Sequence, residues 1–392
     1  MLNSPFAPWP NFSEDEIAAV TDVLRSGRVN YWTGNLCREF ETQFATWCGV
    51  NHAIALANGT LALDVALKVL GVGPGDEVIV TPRSFMASVS TVVVAGAVPV
   101  FAEVDRESQN ITAETIRAAL TPRTKAIIPV HLAGQPCDMD PIMDLAAQHN
   151  LFVIEDCAQA HGALYKGRNV GSIGHIGAWS FCQDKIMSTG GEGGMVTTND
   201  SALWSAMWSY KDHGKSWDGV YERPHPPGPR LVHDTFGTNW RMLEMQAAIG
   251  LIQLGRLNEW VARRNEIAGA IGEVCRRHTQ VLRTPEPVGE VYHAYYRFYT
   301  FVEVDGLADG WTRDRIIQEI TDRGVPCMHG SASEIYLERA FEGTGWRPLQ
   351  RFAVTRELGE TSIAFLTHPT ITDQQVNKAC QVIDEVCKLA AA

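Results

Sequence analysis

The chain has 392 residues, 45% of them apolar and 20% charged, enough to bury a large core across two or three domain-sized units. Its 33 basic and 45 acidic residues leave a formal charge of −12, and no strongly basic run relieves it, which argues against nucleic-acid and anionic-membrane partners. The nine cysteines contain no CxxC pair, so neither a disulfide framework nor a zinc site is indicated. Residues 1–12 lack the pattern of a secretory leader and no apolar run is long enough to span a bilayer, so a cytoplasmic enzyme is expected.

From residue 52 to residue 198, short β-branched and apolar runs recur: His52–Leu56, Glu77–Val80, Pro99–Val104, Lys125–His131, Leu151–Glu155, Ile176–Phe181 and Gly194–Thr198. Helical spacing falls between most of them, at Thr60–Leu70, Ser84–Ala95, Ala113–Leu120 and Asp138–His149. This alternation predicts an α/β fold with a largely parallel sheet covered by helices on both faces. Residues 201–213 read as a helix. Val220–Asp234, with Pro224, Pro226, Pro227 and Pro229, reads as an extended loop or a hairpin. A long helix carrying Met242, Met245, Ile249, Ile252 and Leu257 follows. Beyond about residue 265, mixed segments such as Arg297–Val304 predict a smaller α+β domain. The expected division is an N-terminal arm at 1–13, a large domain at 14–255 and a small domain at 256–392.

In a sheet of this kind ligands bind beyond the carboxyl ends of the strands, so the residues there come first. Asp156 ends the fifth run and is placed either to cap a helix or to face a ligand. Lys185 lies four residues past Phe181 and just before Gly190-Gly-Glu-Gly-Gly194, a permissive backbone that can fold closely around a ligand. Most loop lysines are solvated charges. One held near an apolar or cationic group can lose its proton and attack a carbonyl. Asn58-Gly59-Thr60 opens a helix directly after a strand, where free N–H groups and a hydroxyl make an anion site, and Ser180 can add a second hydroxyl. A phosphate cradle, a carboxylate and a lysine on one sheet are what pyridoxal phosphate requires. Gly71-Val-Gly-Pro-Gly75 precedes a strand and reads as a turn, and His131 and Cys137 have no partners at metal-ligand spacing, so no metal is expected.

These pieces occur within a longer series: Phe6-Ala-Pro-Trp-Pro10, Trp32-Thr-Gly34, Phe40-Glu41, Asn58-Gly-Thr-Leu-Ala-Leu63, Gly75-Asp-Glu-Val-Ile79, Ile154-Glu-Asp-Cys-Ala-Gln-Ala-His-Gly162, Gly190-Gly-Glu-Gly-Gly194, Gly237-Thr-Asn-Trp-Arg241 and His368-Pro369. In this order they resemble the DegT/DnrJ/EryC1/StrS aminotransferases, which make amino sugars and related rings. The resemblance implies the aspartate-aminotransferase type of fold (fold type I), with a mostly parallel seven-stranded sheet, and a homodimer with shared active sites. It places Lys185 at the Schiff-base position and Asp156 against the pyridinium nitrogen of the cofactor, pyridoxal 5'-phosphate. Gln159 falls at the ring hydroxyl and Phe85 where an aromatic ring stacks. Gly59, Thr60 and Ser180 fall at the phosphate, together with Asn239, which the family contributes from the neighbouring subunit.

Lys185 argues against the members that carry histidine there and deoxygenate sugars. Cys182-Gln183-Asp184 departs from the aromatic or histidine and proline found before the lysine in many nucleotide-sugar members, which leaves the ketone open. The expected reaction moves an amino group from an amino acid, L-glutamate first, to a nucleotide-linked 4-keto-6-deoxy sugar. A 3-keto sugar or a keto-cyclitol is the alternative acceptor. A non-catalytic cofactor-binding regulator would keep Thr60 and Asp156 without needing Lys185.

Overall fold

A computed structural model describes residues 6–287 and 289–392; the first five residues of the expected N-terminal arm lie outside the described residues. The large sheet has seven strands: β1 (His52–Leu56), β2 (Glu77–Val80), β3 (Val98–Phe101), β4 (Thr124–Ile128), β5 (Phe152–Asp156), β6 (Ile176–Ser180) and β7 (Gly194–Thr198). In space they run β1-β7-β6-β5-β4-β2-β3. Neighbours are parallel from β6 to β3, while β7 lies antiparallel to both β1 and β6.

Apart from the edge strand β3, whose Val98 and Val100 are half-buried, the strands are largely buried on both sides, so the runs read as continuous apolar stretches. Alternate residues still go to opposite faces. Ile54, Val78, Val80, Ile128 and Ile154 join one core with the helices Gly59–Val69, Ala87–Val94 and Ser201–Tyr210. Ala53, Ala55, Trp179 and Phe181 face the opposite side, against the helices Leu36–Cys48 and Glu244–Arg276. Ile79, Ile127 and Val153 complete that side against the helices Ala113–Ala119 and Met139–His149.

The C-terminal part has a four-stranded antiparallel sheet in the order Leu282–Arg283, Phe298–Val302, Ser362–Phe365, Cys327–Met328. Its core takes Phe298, Val302, Ile363 and Phe365 together with Ile316, Ile320, Ile383 and Val386 from helices Arg313–Asp322 and Asp373–Ala390. The helix Glu244–Arg276 serves both parts. Leu254, Leu257 and Val261 pack with the large sheet, and Ile267, Ile271 and Cys275 with the small one, so the expected 255/256 division falls inside a continuous helix.

One local expectation is corrected and one is narrowed. The helix expected at Ser84–Ala95 begins three residues later, at Ala87, because Arg83-Ser84-Phe85 forms the bend out of β2. Of the two readings of the Pro-rich stretch, the extended loop is the one the structure has. It follows a short helix, Trp217–Tyr221, and meets the rest of the chain through an isolated Lys215–His233 bridge.

Candidate active site

At the carboxyl ends of β1, β5 and β6 lies a cavity of about 580 Å³. Gly59, Thr60, Phe85, Asp156, Gln159, Ser180 and Lys185 all line it, so seven of the eight residues singled out by sequence converge there. Asn239 does not. It sits on the exposed surface after the Pro-rich stretch, paired through its backbone with Asp212.

One end of the cavity is built as an anion cradle. Asn58 caps the helix by accepting from the Leu61 N–H at 3.0 Å. The N–H groups of Gly59 and Thr60, in the first turn, have no intrahelical acceptor. The helix start lies so close to β6 that a Cβ on Gly59 would come within 2.5 Å of the Ser180 Cβ. Only glycine lets these N–H groups and the Ser180 hydroxyl share one small space.

The floor is Asp156, 5% exposed at the end of β5. One carboxylate oxygen accepts from the Ser88 hydroxyl at 2.7 Å and the other from the Ala158 N–H at 3.1 Å. Among the described residues no lysine, arginine or histidine forms an ion pair with it. A buried carboxylate that faces a cavity without a cation is suited to a positively charged donor. Gln159 stands beside it. Its Oε1 accepts the Ala133 N–H at 2.9 Å, which leaves the side-chain amide N–H groups to donate. Phe85, 68% exposed, forms a wall.

Lys185 enters from the loop after β6. Its backbone is fixed on both sides: its N–H donates to the Cys182 carbonyl at 3.1 Å, and its carbonyl accepts from the Trp9 indole at 2.8 Å. The ammonium lies 5.1 Å from the centre of the Tyr296 ring and has no carboxylate within ion-pair distance among the described residues. Lys185, Asp184, Phe85, Ser84 and Gln159 also line a second cavity of about 480 Å³, whose far wall is Tyr296, Arg297, Tyr299 and Met328 of the C-terminal part.

Ser88, Trp9, Asp184 and Tyr296 were not anticipated as site residues. Trp9 belongs to a recognised landmark and Asp184 to the noted departure, but no local pattern ties either to Lys185. His161 is wholly buried between Trp179 and Phe181, and burial pushes its pKa down to about 3, so it is neutral. His131, Glu155 and Cys157 also cluster, but their donors are spent. Nδ1 of His131 accepts the Cys137 N–H, so its Nε2–H donates to Glu155, which also takes the N–H groups of Gly171, Ile173 and Gly174. Burial works against the Glu155 charge, yet these bonds hold its pKa below the ordinary value.

The sequence pattern of the DegT/DnrJ/EryC1/StrS aminotransferase family matches residues 10–384. The chain belongs to this family. As a DegT-family protein it is a pyridoxal-phosphate-dependent aminotransferase of the sugar-aminotransferase group, as the sequence landmarks implied. It is 37% identical over 356 residues to the GDP-perosamine synthase of Caulobacter vibrioides, covering 90% of each chain. The crystal structure of an aminotransferase from Psychrobacter cryohalolentis superposes with a TM-score of 0.96 at 59% identity, over 97% of this chain and 98% of that one. S. venezuelae DesV, in complex with a ketimine intermediate, gives a TM-score of 0.84 at 30% identity over 95% and 94% of the two chains. These neighbours bear out the fold-type I architecture. Among the described residues, no helix is long and apolar enough to cross a membrane.

Proposed function

We propose that this DegT-family enzyme carries pyridoxal 5'-phosphate on Lys185 and moves an amino group from L-glutamate to a nucleotide-linked 4-keto-6-deoxy sugar. The observation that carries this reading is the buried, cation-free carboxylate of Asp156 in the same cavity as Lys185 and the cradle at Gly59 and Thr60. When bound, the cofactor supplies an aldehyde that accepts the amino group and an electron-poor ring that takes up the charge left when the donor's α-proton departs.

The residues present fit that group. The Gly59 and Thr60 N–H groups and the Thr60 and Ser180 hydroxyls would hold the phosphate. The Asp156 carboxylate would hold a proton on the ring nitrogen, and Ser88 and the Ala158 N–H keep that carboxylate aimed. Gln159 would donate to the ring hydroxyl, and Phe85 would cover one ring face. The Lys185 amine, once free, would carry a proton between the donor's α-carbon and the cofactor. The second cavity would take the keto sugar, its phenol and guanidinium groups facing hydroxyls and phosphates. The GDP-linked product in the name of the Caulobacter relative supports a nucleotide sugar as acceptor. Asn239, outside the cavity of its own chain and followed by exposed Leu243, would serve the phosphate of a second copy in a homodimer.

Borohydride reduction of the yellow protein should leave the cofactor on the peptide containing Lys185; an adduct on another lysine overturns the assignment. A panel of nucleotide-linked 4-keto and 3-keto sugars and keto-cyclitols, run with glutamate and glutamine, identifies both substrates. Turnover confined to the cyclitols would refute the sugar.

A further inference from the structure

Asp184 ends the Cys182-Gln183-Asp184 stretch in which this chain departs from many family members, and the structure gives it a partner. The Tyr296 hydroxyl donates to the Asp184 carboxylate, joining the lysine loop of the large part to the strand entry of the small part. Tyr296 is 8% exposed, and its own N–H donates to the Ala133 carbonyl at 2.8 Å. The Ala133 N–H in turn donates to Gln159. A series of hydrogen bonds therefore runs from Gln159 through Ala133 and Tyr296 to Asp184, and Lys185 is the next residue along the chain. The face of the Tyr296 ring lies beside the lysine ammonium. Burial opposes the charge on Asp184, but Lys185 and the Tyr296 hydroxyl together hold its pKa below the ordinary carboxylate value.

A lysine side chain has four rotatable bonds, and a proton shuttle works only when its amine stays within reach of both carbons it serves. Trp9 and Cys182 fix the backbone of the Lys185 turn, but neither one holds the Asp184 side chain, which Tyr296 takes up. We propose that Asp184 and Tyr296 are positioning residues, a clasp between the two parts of the protein that sets the reach of the Lys185 amine. This rests on the reading of Lys185 as the catalytic lysine. The clasp also stands where the two cavities join, so it orients the amine toward whichever substrate occupies the second one.

The test uses the cofactor-loaded enzyme and the variants Tyr296→Phe, Asp184→Ala, Asp184→Asn and the double variant Tyr296→Phe/Asp184→Ala. Losing one such bond is expected to slow the half-reaction with glutamate about tenfold at saturation, with the KM for glutamate changed less than about twofold. The double variant should be no slower than either single one, because both remove the same bond. Asp184→Asn keeps an oxygen that accepts from Tyr296 and should lie nearer the parent. The visible circular dichroism of the bound cofactor should fall in Tyr296→Phe and Asp184→Ala and be largely retained in Asp184→Asn. Effects that multiply in the double variant, or parental rates and visible ellipticity in both single variants, would overturn the clasp. Should Asp184→Ala fail to fold, the pair Tyr296→Phe and Asp184→Asn still decides. An adduct mapped away from Lys185 in the parent enzyme would instead refute the reading on which the clasp rests.

Discussion

Two walls meet at Lys185, and they are built by different means. The large-sheet wall places its groups at the ends of strands buried on both faces, so each is held by the sheet itself: Asp156 closes β5, Ser180 closes β6, and Gly59 follows β1. The facing wall comes from the smaller antiparallel sheet and its entry loop, through Tyr296, Arg297 and Tyr299. The first wall offers an anion cradle and a carboxylate, which suit one phosphate-bearing ring. The second offers phenols and a guanidinium, which suit a hydroxyl-rich substrate. On the proposed reading, chemistry and choice of substrate thus reside in separate parts of the chain that share one lysine.

The hardest break of this division is Lys185→Ala, which should lower turnover by at least about a thousandfold while leaving the fold intact, checked by steady-state assay and circular dichroism. Mixing this variant with an Asn239→Ala chain should restore part of the activity, because one site of each heterodimer then has both residues. No recovery in verified heterodimers would show that each chain builds its site alone.

Asp156→Asn comes next. It keeps the size and can still accept from the Ala158 N–H while its amide donates to the Ser88 hydroxyl, but it loses the charge. The glutamate half-reaction, followed by stopped-flow absorbance, should slow about a hundredfold, roughly 2.7 kcal/mol. Near-parental rates would make Asp156 structural.

Gly59→Ala tests the cradle. Its Cβ would press on Ser180 at 2.5 Å, so cofactor should dissociate about tenfold more readily. Equilibrium dialysis measures this directly, and the second wall should be untouched.

The seven strands and the side chains at their ends were legible because buried, β-branched runs between helical segments have few other readings. Their order in space was not, since β7 reverses between β1 and β6 without a local signal. The contacts that aim the site residues were hidden for the same reason. Ser88 on Asp156 spans 68 positions, and Trp9 on Lys185 spans 176. Short-range periodicity carries no trace of such pairs. Asp184 was visible only as a departure from pattern, and its partner lies 112 positions away.

The smallest effect expected is a pH effect within the large wall. His161 is held neutral by burial, with a pKa of about 3 against an ordinary value near 6.5. Below pH 6.5 the unfolded chain binds a proton that the folded one refuses, so stability contributed by this group is present above that pH and is lost as pH falls toward 3. Melting temperature should therefore fall from pH 7 to pH 5, and His161→Phe should make that fall shallower. An unchanged slope would mean the imidazole charges without penalty.

The helix Glu244–Arg276 has 33 residues and so extends for about 50 Å. Because one uninterrupted rod is pinned in both cores, neither part can melt without stripping half of its packing. The two walls should therefore unfold in a single calorimetric transition, despite their separate duties. A helix-breaking proline near Arg264, where the rod passes from one core to the other, should split that transition in two.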